Sequence, residues 1–290
     1  MTTHKSLVFI ALILISAFTV DAQEVQFGTK FLHVGQTVTR TAVWAMDIDL
    51  VLKFAGDQLG KEREESVQTI KKVETILSID GSALTGVRVI YEKWENTTKS
   101  TEDGITETKP TVKSPVVGKS YTVKLQADQL VITDETGKKP PKEEWEIVNS
   151  DYKDLGQQDE FANYFADKKV VAGETLEVPG ELARAMLTEK KDIVKIDHFS
   201  FALNRTGTAG GLPIAIFGTA LKMSGNYGPN TSLKMNLKGE TSIAYQNGWP
   251  VSMKLQGPVR VTGVDQIGSR IVMVDGTGTM TMTEEAHYGK

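Results

Sequence analysis

From Gln23 onward, apolar and polar residues alternate with a period of two, and turn residues interrupt the alternation roughly every 8–14 positions, as in short antiparallel strands. Val87-Arg-Val-Ile-Tyr-Glu-Lys-Trp94, Tyr121-Thr-Val-Lys-Leu125 and Leu130-Val-Ile-Thr133 show it early in the chain. Leu233-Lys-Met-Asn-Leu237, Thr241-Ser-Ile-Ala-Tyr245, Val251-Ser-Met-Lys-Leu255 and Thr277-Gly-Thr-Met-Thr-Met-Thr283 show it later. Asp80-Gly81, Thr136-Gly137 and Asn247-Gly248 supply the positive-φ turns that hairpins need. Between Glu65 and Ile79 the pattern is ambiguous: Val67, Ile70, Val73 and Leu77 fit a helix face, whereas the density of Val, Thr and Ile fits a strand. Both neighbours are strands, so a strand is expected there.

A helical zone separates the two β-rich stretches. Pro140-Pro-Lys-Glu-Glu places proline and acidic residues where a helix N-terminus favours them. Trp145, Val148, Tyr152 and Leu155 then share one face. A second short helix is expected from Asp159 with Phe161, Tyr164 and Phe165, and a third from Gly180 through Leu182, Met186 and Leu187. Aromatics at this spacing pin helices onto a sheet more readily than they line a ligand. A weak echo links Val34-Gly-Gln-Thr-Val38, Val117-Gly-Lys-Ser-Tyr-Thr-Val123 and Ala172-Gly-Glu-Thr-Leu-Glu-Val178, each read as a turn feeding a strand. No period is maintained, so the chain is not a solenoid. The expected fold is mainly β (β-rich α+β): two antiparallel curved sheets or half-barrels, with a few short helices in the middle of the chain. The expected layout is an N-terminal half at 23–139, a helical connector at 140–167 and a C-terminal half at 168–290.

Residues 1–22 read as an export signal. Lys5 gives a charged start, Leu7 to Ala17 is apolar, and Val20 and Ala22 form a small-residue cleavage site before Gln23. The apolar run, about 14 residues, is short of the ~20 needed to span a bilayer as a helix, which favours cleavage between Ala22 and Gln23 over a retained anchor. No stable transmembrane segment is then expected, and the destination is the periplasm or the exterior. An exported chain without cysteine points to a bacterium. The sequons at Asn96, Asn204 and Asn230 then mark only polar, turn-like surface.

Charge and chemistry narrow the function. With 33 basic against 37 acidic side chains the net charge is −4, which argues against a nucleic-acid binder acting through bulk positive charge. Zero cysteines remove thiol nucleophiles, zinc knuckles and iron–sulfur ligation. His33, His198 and His287 are not at metal-ligand spacing, and neither HExxH nor a Gly-x-Ser-x-Gly elbow is present. Asp197-His198 could act as an acid–base pair if a serine came near, but strand neighbours point to opposite faces. Val274-Asp-Gly-Thr-Gly278 has the wrong order for an aspartic-protease loop, Thr208-Ala-Gly-Gly-Leu-Pro213 lacks a phosphate-loop lysine, and Asp47-x-Asp49 does not continue as a calcium loop. The mixed charge run from Asp57 to Glu74 reads as a solvated face. No catalytic residue, cofactor or metal site is nominated, and ligand-binding positions are not specified.

This layout of signal peptide, strands, central helices and further long strands resembles secreted bacterial β-rich proteins. More loosely it resembles the lipoprotein-carrier and mycobacterial lipid-carrier families. That resemblance is architectural, covers most of the chain after the signal peptide, and implies a curved sheet closed by helices over an apolar cavity. Many such carriers are lipoproteins; this chain has no cysteine to hold a lipid anchor. The expected function is a non-enzymatic binding protein for a lipid or other apolar or amphipathic small molecule. Met223, Met235, Met253, Met273, Met280 and Met282 are flexible enough to line its cavity, although Met on strands is more often ordinary core. The alternative is an envelope structural or protein-interaction module with a protein partner. Less favoured are a hydrolase with unrecognised paired carboxylates and an outer-membrane barrel.

Overall fold

The computed structural model describes residues 24–29, 32–102, 104–186, 193–267 and 269–289. The expected cleavage site, Ala22 and Gln23, and Leu187 lie outside them. A short strand β1 (Glu24–Gln26) precedes three long ones, β2 (Thr37–Phe54), β3 (Asp57–Asp80) and β4 (Ala83–Glu102). Short β5 (Ile105–Thr108) and β6 (Val112–Lys113) follow, then the hairpin β7 (Ser120–Gln126) and β8 (Gln129–Asp134). Next come α1 (Lys142–Asp151), α2 (Glu160–Phe165), β9 (Lys169–Val171), β10 (Thr175–Glu177) and α3 (Gly180–Met186). A second set of long strands comprises β11 (Ile193–Ala209), β12 (Leu212–Gly228), β13 (Thr231–Ala244), β14 (Trp249–Ile267) and β15 (Arg270–Tyr288).

The fold is mainly β, with every pairing antiparallel. A 13-stranded sheet runs β10-β11-β12-β13-β14-β15-β2-β3-β4-β7-β8, with β5 and β6 also on β4, and a two-stranded ribbon pairs β1 with β9. The first and second sets of long strands meet where β15 pairs with β2, from Met273↔Lys53 to Tyr288↔Val38. The sheet stays open: its ends, β10 and β8, do not pair with each other. Glu65 to Ile79 lies within strand β3, so β-branched content outweighs the helical spacing there. The three echoed turns each carry a glycine at positive φ, Gly35 (87°), Gly118 (79°) and Gly173 (84°), ahead of β2, β7 and β10. Asn230 sits in a turn, but Asn96 and Asn204 lie within β4 and β11, where polar side chains alternate with apolar ones rather than marking turns.

Two apolar clusters fasten the helices to one face of the sheet. Val148 of α1 and Tyr152, which caps its C-terminus, join Val87, Val89, Tyr91, Tyr121 and Val123. Phe161 and Phe165 of α2 join Phe199, Phe201 and Phe217, with the Phe165 ring 5.4 Å from Phe201 and 5.6 Å from Phe217. Phe165, Phe201 and Phe217 are fully buried, and each such side chain contributes about 1.5–3 kcal/mol through water exclusion. The aromatics thus pin helix to sheet, as their spacing predicts. At the N-terminus of α1, buried Glu144 accepts hydrogen bonds from the Tyr121 hydroxyl (2.6 Å) and Lys119 Nζ (2.7 Å), which hold its carboxyl below the usual range.

Glycines let the sheet bend. Gly239, Gly257 and Gly278 lie on neighbouring strands, each two residues from direct register with the next, because Gly239 faces Leu255 and Gly257 faces Met280. A Cβ at these positions would run into the carbonyl oxygens of Lys254, Asn236 and Asp47 respectively. The three form a diagonal across β13, β14 and β15 along which backbones approach too closely for any side chain, a glycine crease of the kind that turns a barrel corner.

Candidate functional site

Alternation on β2 sends Val38, Arg40, Ala42, Trp44, Ile48 and Leu50 to the helix-bearing face. The register then places Arg40 beside Lys72, and Ala42 beside Ile70. Lys72 is in turn opposite Tyr91 of β4. The same period that buries apolar residues therefore turns Arg40, Lys72 and Glu74 inward, level with one another.

These charges form one network under the C-terminal end of α1. Arg40 Nε donates to Glu74 Oε2 at 2.8 Å, and Tyr152 donates to Glu74 Oε1 at 2.6 Å. Lys72 Nζ lies 3.1 Å from both Asp151 oxygens and 3.6 Å from Glu74 Oε1, and Tyr91 donates to Asp151 Oδ2 at 2.7 Å. A carboxylate at a helix C-terminus faces the negative end of the helix dipole, and Lys72 supplies the compensating charge. Burial pushes the Glu74 carboxyl up, but Lys72 and Arg40 beside it, with the Tyr152 and Arg40 hydrogen bonds, bring it down to about 2. Burial and the adjacent Asp151 raise the Tyr91 phenol, and burial with Glu74 raises that of Tyr152, so both stay protonated donors. The expectation of a solvated face from Asp57 to Glu74 is corrected at its end: Lys72 and Glu74 are buried, each side chain only 10% exposed, because they pair with charges across the sheet and on α1.

A cavity of about 570 Å³ lies between this face and the helices. Its apolar wall includes Trp44 of β2, Ile70 of β3, Leu221 and Met223 of β12, Met253 of β14, and Met280 and Met282 of β15. Phe161 of α2 and Met186 of α3 face it from the helices. Its polar side is the network of Arg40, Lys72, Glu74, Asp151 and Tyr152, and its lining also includes the exposed Gln157, Gln158 and Asp159 between α1 and α2 and Glu160 at the start of α2. Leu84 and Val87 of β4 also line it, so it receives side chains from β12 and β4, six places apart in the sheet. In a flat sheet those strands would be separated by about 29 Å. The glycine crease brings them to one cavity.

Of the six methionines singled out from the sequence, Met223, Met253, Met280 and Met282 line this cavity. All four are at the same time buried in the apolar core, as is Met235, which does not line the cavity, and Met273 is 63% exposed. The sequence reading does not single out Arg40 and takes Lys72 and Glu74 only as part of a solvated charge run; their signal is a charged residue on the apolar phase of an alternating strand. His198 does meet a serine, but the one two positions along on its own face: Nε2 is 3.0 Å from Ser200 Oγ, and Nδ1 is 3.2 Å from Glu177 Oε2. Asp197 instead pairs with Lys195. Ser200 is buried, and none of Glu177, His198 and Ser200 lines the cavity. Among the described residues, no cluster of His, Cys, Asp or Glu has the geometry to hold a metal ion, and no helix is long and apolar enough to cross a membrane.

No family model matches the chain, and no curated protein matches it significantly in sequence. Among solved structures it is similar to lipovitellin, in a structure of lipid–protein interactions in that protein, at 10% identity and a TM-score of 0.36, over 88% of this chain and 26% of the other. The chain thus spans about a quarter of that protein's length. It is also similar to an outer-membrane channel from Pseudomonas putida F1 (8% identity, TM-score 0.24, 88% and 97% covered). A third is the translocator domain of an autotransporter from Neisseria meningitidis (8% identity, TM-score 0.17, 88% and 89% covered). All three are β-rich, and scores this low do not establish a shared fold.

Proposed function

We propose that this chain is an exported, non-enzymatic binding protein that holds an apolar or amphipathic molecule between its curled sheet and its helices, in the periplasm or outside the cell. The observation that carries the reading is the cavity of about 570 Å³, walled by methionines and aromatics at one end and by a buried charge network at the other. That volume falls in the ~300–1,000 Å³ range of small-molecule sites, and apolar walls with few placed polar groups are their usual chemistry. Unbranched methionine side chains adapt to a flexible guest without a fixed shape. The test is native mass spectrometry of the protein taken from its own host's envelope without detergent, followed by organic extraction. A defined apolar adduct that exchanges with offered lipid is expected; a clean apo mass with no uptake would refute the reading.

A second reading, an envelope interaction module, draws on one observation. Val264, Ile271 and Met273 are exposed at 40%, 69% and 63% and lie together on neighbouring strands β14 and β15, where Val264 pairs with Met273. Neighbouring apolar side chains left in water favour a protein contact. Loss of a partner in co-purification after Ile271→Ser/Met273→Ser, with ligand uptake intact, is its expected signature.

A further inference from the structure

The buried polar groups beside the cavity do not balance. Both oxygens of Glu74 and both of Asp151 already accept hydrogen bonds, from Tyr152, Arg40, Lys72 and Tyr91. What is left over is donors. Arg40 uses only Nε on Glu74, and its two terminal nitrogens meet no acceptor among the described residues. Trp249, at the start of β14, has an indole N–H that is likewise buried without an acceptor. Native structures rarely keep buried donors unpaired unless water or a ligand completes them.

The two residues are neighbours, and both line the cavity: the Arg40 guanidinium lies over the Trp249 ring, 5.9 Å from its centroid. The bond to Glu74 and the ring together fix the guanidinium, while 32% of the Arg40 side chain stays open. Burial opposes its charge, but Glu74 sustains it, so Arg40 stays a cation. Strand β2 leads from this point to the apolar wall. Arg40, Ala42 and Trp44 are successive inward positions, and Trp44 stands opposite Met282, about 13 Å along the strand from Arg40. At ~30 Å³ per water-sized group, the cavity holds on the order of twenty such groups, enough for one alkyl chain with a small head.

Resting on the proposed reading of the cavity, we infer that its guest is a single-chain acyl amphiphile whose carbonyl or carboxylate oxygen accepts from the Arg40 terminal nitrogens and the Trp249 N–H, with the chain along the methionine wall. A free fatty acid and a fatty ester both supply that oxygen, and a hydrogen bond to guanidinium is among the stronger kinds. An ammonium head brings donors only and sets a second cation beside Arg40. Asp159 and Glu160, which also line the cavity, are exposed and satisfied by water, so they require no cation from the guest.

Dodecanoate, methyl dodecanoate and dodecylamine, each below its aggregation concentration at neutral pH, are titrated into the full chain while Trp44, which lines the cavity, reports by fluorescence. The better of the two acyl ligands is expected to bind at least ten-fold more tightly than dodecylamine; dodecanoate ahead of the ester assigns the free acid, and the reverse assigns the ester. Trp249→Phe keeps a ring under Arg40 and removes the N–H. It is expected to weaken the acyl ligand at least three-fold and to leave dodecylamine unchanged. Arg40→Lys keeps a cation for Glu74, removes the terminal nitrogens and is expected to weaken the acyl ligand at least ten-fold; should that variant not fold, Trp249→Phe decides. Dodecylamine binding as tightly as the better acyl ligand, or acyl binding untouched by Trp249→Phe, overturns the acyl inference and leaves the cavity reading standing. Failure of all three to bind overturns the cavity reading, and this inference with it.

Discussion

Tyr227 donates its phenolic hydrogen to Glu64 at 2.8 Å, although the strands that carry them, β12 and β3, are five places apart in the sheet. Flat, those strands would lie about 24 Å apart. The contact is a direct record of how far the sheet curls, and burial with the adjacent Glu64 raises the Tyr227 phenol so that it remains a donor. The helices fill one end of the trough through Phe161, Phe165 and Val148, and the Tyr227–Glu64 pair bridges it at another level.

Tyr227→Phe removes that bridge without removing the ring. A hydrogen bond to a charged group is worth about 1.5–3 kcal/mol, less where water reaches it. The urea midpoint is expected to fall by an amount equivalent to about 1–2 kcal/mol at an unchanged denaturant slope. An unchanged midpoint would show that the bridge records the curl without helping to hold it.

Gly278→Ala tests the crease. The new Cβ would meet the Asp47 carbonyl oxygen, a backbone atom that cannot swing aside. A loss of more than about 3 kcal/mol, or failure to fold, is expected. Gly60→Ala, also on a strand but with open space around its Cβ, is expected to change stability by less than about 0.5 kcal/mol.

Acid should loosen the helix–sheet contact through Glu74. Its folded pKa of about 2 lies below its ordinary value of 4.5, so its contribution is fully present above pH ~4.5 and is lost as pH falls towards 2, on the order of 3 kcal/mol in all. Glu74→Gln is expected to flatten that part of the stability–pH curve. It should also destabilise the protein by about 3–5 kcal/mol at pH 7, because Arg40 and Lys72 lose the carboxylate between them. Urea melts at pH 3 and pH 7 for both proteins check the sign.

Met282→Trp enlarges a side chain that both lines the cavity and packs in the buried core. Ligand uptake is expected to fall at least ten-fold, with stability lowered by about 1–3 kcal/mol from overpacking. Uptake equal to that of the unaltered chain, measured by native mass spectrometry, would locate the ligand elsewhere.

Much of this fold is legible in the sequence because a period of two leaves a strong trace. The strands, the three glycine turns, the aromatic face of α2 and the strand at Glu65–Ile79 all follow from spacing and β-branching. The cavity does not. It depends on Gly239, Gly257 and Gly278 falling on one diagonal across three strands, and on β12 curling towards β3 and β4, relationships between positions tens of residues apart. Methionine shows the boundary well: Met273 and Met282 look alike in an alternating run, yet their positions differ by an odd number of residues, so one strand sends them to opposite faces. Arg40 and Glu74 leave only a charge on the apolar phase of a strand, and what that charge does depends on a partner on another strand.

The central claim is that a guest occupies the methionine-walled cavity. The most direct measurement is methyl NMR of the full chain labelled at the methionine methyl carbons, titrated in turn with dodecanol, dodecylamine and dodecanoate. The account predicts saturable shifts of Met223, Met253, Met280 and Met282, with the exposed Met273 unmoved. Shifts confined to Met273, or none at any methionine, would contradict it.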